Sequence, residues 1–489
     1  MLRIVISLLL FLAAASQAGP MIPAGDTALR HDIQLLADQG IVQGTVSTWP
    51  LEWGPIIADI ARVDDELELS AHVRAALARV RNKAQWDTRI RELRFRGRFA
   101  AQGEPSRLRS FQDTPREEAE LSGGLSWTGE RFSYDLNATI VSDPADDEDV
   151  RGDGSHLSVA LGNMTFAAST LDRWWGPAWD SSLVLSSNAR PMPAVTIDRR
   201  FTDASDSKWF SWLGPWDASL IWGWMEEERV VPNTQFVGFR FNFRPIPSLE
   251  IGLSRTAQWC GDDRPCDAST FWNILIGRDN PGDEGITPDT DPSNQTATVD
   301  FRWSLARTGV PMAIYGQFLG EDEAGGFPSR YLGQVGVEGH TYLADRWSTR
   351  WYLEAAATNC EFWKSEDNWD CAYNHSIYET GYRYRGRVIG HTSDNDSRIA
   401  SLGVVLIDDE GTSWQGLVRY GSLNRGGAPD PANSLTPLRQ DIWSIDLVHH
   451  RVTRYGRFEF GAGYERIDDF SDMQSSNEAR GFIQWRSDY

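Results

Sequence analysis

From Leu93 onward, apolar and polar residues alternate. Leu93, Phe95, Gly97 and Phe99 fall on one face, and Arg94, Arg96 and Arg98 on the other. Val299, Phe301, Trp303 and Leu305 oppose Asp300, Arg302 and Ser304. Phe239, Phe241 and Phe243 alternate with Arg240, Asn242 and Arg244. Trp351, Leu353 and Ala355 oppose Arg350, Tyr352 and Glu354, and Tyr382 and Tyr384 oppose Arg383, Arg385 and Arg387. Phe458, Phe460 and Ala462 oppose Glu459 and Gly461. A period of two predicts strands with one greasy and one wet face. Before Leu93 the period is 3.6. Asp26 caps a helix carrying Leu29, Ile33, Leu36 and Ala37, which Gly40 ends. A second helix is predicted over Ile56–Val63, and Ser70 caps a third with Val73, Ala76, Leu77 and Val80 on one face. The chain therefore divides into a helical part, residues 19–90, and a β part, residues 91–489. The helical part is too small to hold much core of its own and is expected to pack on the larger unit.

A soluble sandwich explains the alternation as well as a membrane barrel does. It explains less well why the apolar face is so aromatic while the polar face mixes Arg with carboxylates. A polar lumen braced by ion pairs inside a lipid-facing wall accounts for both. Connection lengths point the same way. Thr128-Gly129-Glu130 is a tight turn, whereas Asp143–Gly154, Gly261–Ala268, Gly277–Thr296, Gly320–Ser329, Thr358–His375 and Ser422–Leu438 read as long loops. Outer-membrane barrels pair tight periplasmic turns with long outer loops. At roughly 20–25 residues per strand and connection, the β part holds about 16–18 strands. It ends in an amphipathic, aromatic strand, with Ile483, Trp485 and Tyr489 on one face.

Composition sharpens this picture. The 22 Trp among 489 residues suit aromatic girdles at two membrane surfaces. The net charge of −22 argues against nucleic acid, which needs a basic surface. Residues 1–18 read as an export signal: Arg3, the apolar run Ile4–Ala15, and a small-x-small site at Ser16-Gln17-Ala18. That run is too short to span a membrane as a helix. The four cysteines, Cys260, Cys266, Cys360 and Cys371, allow three pairings. The local pairing, Cys260 with Cys266 and Cys360 with Cys371, would staple two polar, turn-like stretches, as an oxidising compartment permits.

Catalytic signals are weak. The chain has eight His but no HExxH pattern and no Gly-x-Ser-x-Gly elbow. His375 and His391 lie near Asp367, Asp370, Asp394 and Asp396, a coincidence that comes easily in an acid-rich chain. The acidic runs Asp143–Asp149 and Asp279 to Asp291 lack the spacing of a calcium loop and read as solvated outer loops. No metal or cofactor is expected. Trp174, Trp175, Trp179, Trp209, Trp212, Trp216, Trp363 and Trp369 sit in turn-like sequence among Asp, Asn and Arg. Flat aromatics stack on sugar rings while those polar groups meet hydroxyls. Most of these Trp are assigned to the interfacial belt and a few to a glycan.

Three stretches together resemble the Wzi family of outer-membrane capsule-assembly proteins. They are Trp174-Trp175-Gly176-Pro177, Ser187-Asn188-Ala189-Arg190-Pro191-Met192-Pro193, and Tyr384-Arg385-Gly386-Arg387-Val388-Ile389-Gly390-His391 followed by Asp394-Asn395-Asp396-Ser397. The last is the most specific. The resemblance implies a barrel of about 18 strands whose periplasmic end is blocked by the N-terminal helices. It further implies a lectin-like, non-catalytic role in holding capsular or related exopolysaccharide at the cell surface. The four cysteines are not a general mark of the family, so the outer loops are expected to be specialised. The candidate glycan contacts are Trp174, Trp175, Asn188, Arg190, Trp363 and Trp369. The expected lumen-lining residues are Arg94, Arg96, Arg98, Arg240, Asp300, Arg302, Glu354, Arg383, Arg385 and Arg387. The expected surroundings are outer-membrane lipid, a surface polysaccharide and the capsule export machinery, with the protein as a monomer. The alternatives are an oligosaccharide channel and a barrel hydrolase.

Overall fold

The computed structural model describes residues 20–487, apart from 65–67, 276–291, 325–326, 345, 365–367, 427–428 and 471–473. The export signal, the acidic run Asp279 to Asp291, Asp367 and the terminal Tyr489 lie outside the described residues. The chain from Leu93 forms a closed antiparallel barrel of 18 strands, with Val150–Arg151 and His156–Leu161 forming one interrupted strand. The last strand, Ser475–Arg486, closes on the first, Leu93–Gln102, pairing Phe482 with Gln102 and Arg486 with Arg98. The alternation sets which side faces in. Phe95 is 78% exposed on the outer wall, with Leu121, Leu136, Val299, Leu353 and Phe460. Arg240, Asp300, Arg302, Arg350 and Glu354 are buried on the inner side. An apolar outer band with a polar interior inverts the soluble arrangement and matches a wall in lipid.

The short connections, such as 129–131, 162–163, 247–248 and 454–455, cluster at one end. The long ones, 103–118, 143–149, 170–193, 260–292, 358–397 and 424–439, begin and end at the other. Two loop expectations change, and one further connection departs from the pattern of lengths. Residues Gly320–Ser329 form no long loop, because Met312–Ala324 and Phe327–Leu343 run on as one tall hairpin. The connection after Ala357 extends to Ser397. Residues 200–215, at the short-turn end, carry the exposed Trp209 and Trp212.

The lumen is filled from both ends. From the short-turn end come three helices, α1 (Thr27–Asp38), α2 (Trp53–Ile60) and α3 (Ala71–Asp87). The Asp26 side chain accepts from the Leu29 N–H at 2.9 Å and so caps α1. Leu35, Leu36, Trp49, Trp53, Ala76 and Val80 make an apolar core among the N-terminal segments, joined by Phe111 and Trp174 from the outer loops. The Arg302 guanidinium, on the wall, forks onto the Asp38 carboxylate at 2.6 and 2.9 Å and also reaches Glu338 at 2.5 Å. Arg350 donates to Glu338 at 2.8 Å and to His31 Nδ1 at 3.2 Å. Arg79 on α3 bonds Asp32 at 2.6 and 2.8 Å. Charges this deeply buried are stable only when paired, so the wall and α1 are mutually dependent.

Candidate functional site

From the long-loop end, residues 170–193 drop into the lumen. Trp174-Trp175 pair as a two-residue strand with Thr48-Trp49, joining this loop to the segment before α2. Trp174 packs edge-on against Phe111 and donates its Nε1–H to the Ala178 carbonyl at 3.1 Å. Arg30 of α1 donates to the carbonyls of Pro177 and Ala178, both at 2.8 Å, and lies 4.2 Å from the Trp179 ring. Wall side chains fix the descending segment. Glu354 accepts the Trp179 and Asp180 backbone N–H groups, and Arg419 binds the Asp180 carboxylate at 2.6 Å. Gln317 donates to the Trp175 carbonyl and accepts from the Leu183 N–H. Gly176 has φ +140°, and a Cβ there would lie 2.7 Å from the Gln317 amide, so glycine is required.

Two expectations are therefore corrected: Trp179 does not lie in the interfacial belt, and Trp174 and Trp175 are not placed to meet a glycan. Trp174, Trp175 and Trp179 are inside, at 2% exposure or less, because the lumen needs a second core. Asn188 is buried as well: its amide donates to the Val388 carbonyl and accepts from Arg387 and Thr392. Arg190 is clamped by Asp153 at 2.8 and 3.0 Å, by Glu148 at 3.0 Å and by Asp146. Trp174, Trp175 and Asn188 have no free face for an external polymer. The same contacts correct the reading of Asp143–Asp149 as a freely solvated run. Asp146 and Glu148 are held against Arg151, Arg190 and Arg385 at the rim.

Arg383, Arg385 and Arg387 do not lie on a wall strand. Arg383-Tyr384 and Arg387-Val388 form a small hairpin inside the 358–397 loop. Their alternation arises because the hairpin sits between an apolar cluster (Tyr373, Tyr382, Tyr384, Val388, Ile389) and polar partners. Arg383 binds Asp394 at 2.6 and 3.0 Å and the Asn374 side chain at 2.8 Å. Arg387 reaches Asn188 Oδ1 at 2.9 Å. Arg94, Arg96 and Arg98 are on the first wall strand, where Arg96 pairs with Asp135 and Arg98 with Glu120. Arg240 grips Asp300 at 2.7 and 3.0 Å, deep in the wall.

Above the hairpin the 358–397 and 424–439 loops meet in a polar crater. Asn395 donates to Asp430 at 2.7 Å and accepts from Asn433 at 2.7 Å. Asn374 donates to Asp370 at 2.6 Å and to Asp430 at 3.0 Å. The Asp370 N–H donates to Asp396 Oδ2 at 2.8 Å, while Asp396 Oδ1 is buried without a hydrogen-bond partner among the described residues. Burial pushes the Asp396 carboxyl up to about 7, with Asp370, Asp430 and Asp394 adding to the rise. Trp369 stands on this cluster, half-buried, with the Arg425 guanidinium 5.3 Å from its ring. Trp363 is 56% exposed nearby, edge-on to Phe362. The disulfide Cys360–Cys371 ties down the segment carrying both Trp, and Cys260–Cys266 closes a second loop. Asn374, Arg425, Asp430 and Asn433 escaped the sequence reading, since they meet only through the contact of two distant loops.

The two loop histidines carry structure. His391 is buried and bonded to Ser393 Oγ at 2.8 Å, and burial pushes it down to about 4. His375 Nδ1 accepts the backbone N–H groups of Ile377 and Tyr378. Among the described residues no three His, Cys, Asp or Glu are grouped so as to hold a metal ion.

A barrel with a lipid-facing wall, a filled lumen and a disulfide-stapled crater of outer loops is an outer-membrane surface protein rather than a wide pore. The family model described as capsule assembly protein Wzi matches residues 95–478, and the chain belongs to that family. The chain is similar to an uncharacterised 55.8 kDa protein in the cps region of Klebsiella pneumoniae, 29% identical over 360 residues, 73% of this chain and 69% of that one. Its structure is similar to that of Escherichia coli Wzi, described as an outer-membrane protein involved in group 1 capsule assembly and a carbohydrate-binding β-barrel. That match has TM-score 0.83 and 25% identity and covers 96% of this chain and 99% of that one. The protein is an outer-membrane barrel.

Proposed function

We propose that this protein holds capsular or related exopolysaccharide at the cell surface, without catalysis, through the crater of its outer loops. The observation that carries the reading is the Trp369–Arg425 pair set among Asp370, Asn374 and Asp430. It offers a flat apolar face for a sugar ring beside carboxylates and amides for its hydroxyls, on a barrel that belongs to the capsule-assembly family. Trp363, at the edge of the same loop, supplies a second stacking surface. Trp174, Trp175, Asn188 and Arg190 serve the fold instead, holding the inserted loop and the rim acids in place. The helices, at the end where the tight turns lie, close the periplasmic side. The chain acts as a monomer in the outer-membrane lipid, and the export machinery delivers the polymer to it.

The test is a glycan array on the purified protein, followed by binding of the best polymer to variants. Trp369→Ala with Arg425→Ala is expected to weaken binding about tenfold, or ~1.4 kcal/mol. Unaltered binding by a folded double variant would move the site elsewhere. Turnover of the bound polymer, seen as new reducing ends, would contradict the non-catalytic part.

A further inference from the structure

The lumen is not filled evenly. One apolar cluster packs the helices and another packs the inserted loops, but beside the closing seam a cavity of about 290 Å³ remains. One of its walls is the inner face of the strands Leu93–Gln102, Ala119–Thr128 and Phe132–Ser142, and the other is residues 20–26 with the end of α3. The cavity is long. Along one strand it is lined from Ser126, near the tight turns, to Glu120, near the outer loops. Six residues of strand span about 20 Å, most of the apolar thickness of an outer-membrane barrel. Its lower end lies against Lys83 and Asp87 of α3, and its upper end against Asp153 and Gly154 of the outer loops.

Its lining holds opposed charges in pairs. Arg96 faces Asp135, Arg98 faces Glu120, and Arg486 faces Asp113. His156 projects from the wall, is only 5% exposed, and has no hydrogen-bond partner at either ring nitrogen among the described residues. A roomy space lined by ionic side chains holds water. At roughly 30 Å³ per molecule the cavity holds on the order of ten waters.

We propose that this seam is a hydrated side passage by which water and small ions pass the helical segment, while any polymer is excluded. The balanced charges make it nearly indifferent to the sign of the ion. This activity is independent of polysaccharide binding, so either can fail alone.

The experiment uses the full-length protein in planar bilayers of phospholipid in potassium chloride. The wild type is expected to give a small, steady conductance with a reversal potential near zero in a salt gradient. All four native cysteines are paired, so Ser122→Cys, on the cavity lining, places a single free thiol there. Labelling the folded variant with a bulky, charged, water-borne thiol reagent is expected to lower conductance at least threefold. Arg96→Ala with Asp135→Ala is expected to raise it at least twofold. Failure of the Ser122→Cys thiol to react, a conductance that ignores the label, or a bilayer as silent with the widened variant as without protein would each overturn the passage.

Discussion

Asp396 shows what the loop crater asks of one residue. Its ordinary carboxyl pKa of about 3.9 is raised to about 7 in the fold. The folded state therefore binds more protons than the unfolded state between those values, and stability falls as pH rises from about 4 to 7. Asp396→Asn, neutral at every pH, is expected to remove this slope. The check is the thermal midpoint in detergent at pH 5 and pH 8: the variant should gain on the wild type at pH 8 and not at pH 5. Asp38 is the opposite case. Burial pushes its carboxyl up, but Arg302 and Arg350 hold it down to about 2. Asp38→Ala leaves two buried guanidinium groups short of a partner and is expected to cost about 3–5 kcal/mol. Denaturant unfolding, with protease cleavage within residues 20–90 as a local readout, measures it. That Arg302 and Glu354 face inward was legible from their alternation with Trp303 and Leu353. Their partners Asp38 and Trp179 were not, because period-two patterning says which way a side chain points and nothing about what is inserted opposite it.

The same limit explains the elements that were misplaced. Tyr382-Arg383-Tyr384-Arg385 reads like a wall strand, and it is a hairpin in the lumen. A filled barrel has a second core, and a hairpin lodged there also needs alternate burial and charge pairing. The helices were legible to within a few residues, since α1 and α3 carry a 3.6-residue apolar stripe; Asp26 caps α1 as expected, whereas Ser70 stands at the start of α3 without a side-chain capping bond. The descending Trp174–Arg190 loop was legible as special but not as buried. The Cys360–Cys371 staple gives an element-level prediction. Replacing both by Ser frees the segment that bears Trp363 and Trp369, and loss of the loop closure is expected to cost about 2–4 kcal/mol locally. Polysaccharide binding should then weaken, whereas replacing Cys260 and Cys266 should leave it close to wild type. Equal losses in the two pairs would mean that the staples act on folding as a whole.

At the scale of the molecule, the sequence carried the class. Alternating strands, one-sided loop lengths and an aromatic outer face together specify a membrane barrel, and the closed 18-stranded wall follows them. The location of the crater was not legible, because it exists only where residues 358–397 and 424–439 meet after closure. A barrel filled by helices below and a Trp loop above is suited to holding a polymer outside rather than passing it through. The direct test is on cells: the gene is deleted, and polysaccharide is measured separately in the washed cell pellet and in the medium. The pellet-bound share is expected to fall severalfold while the total stays constant, and the wild-type gene, but not the Trp369→Ala, Arg425→Ala form, should restore it. An unchanged pellet-bound share in the deletion strain would contradict the account.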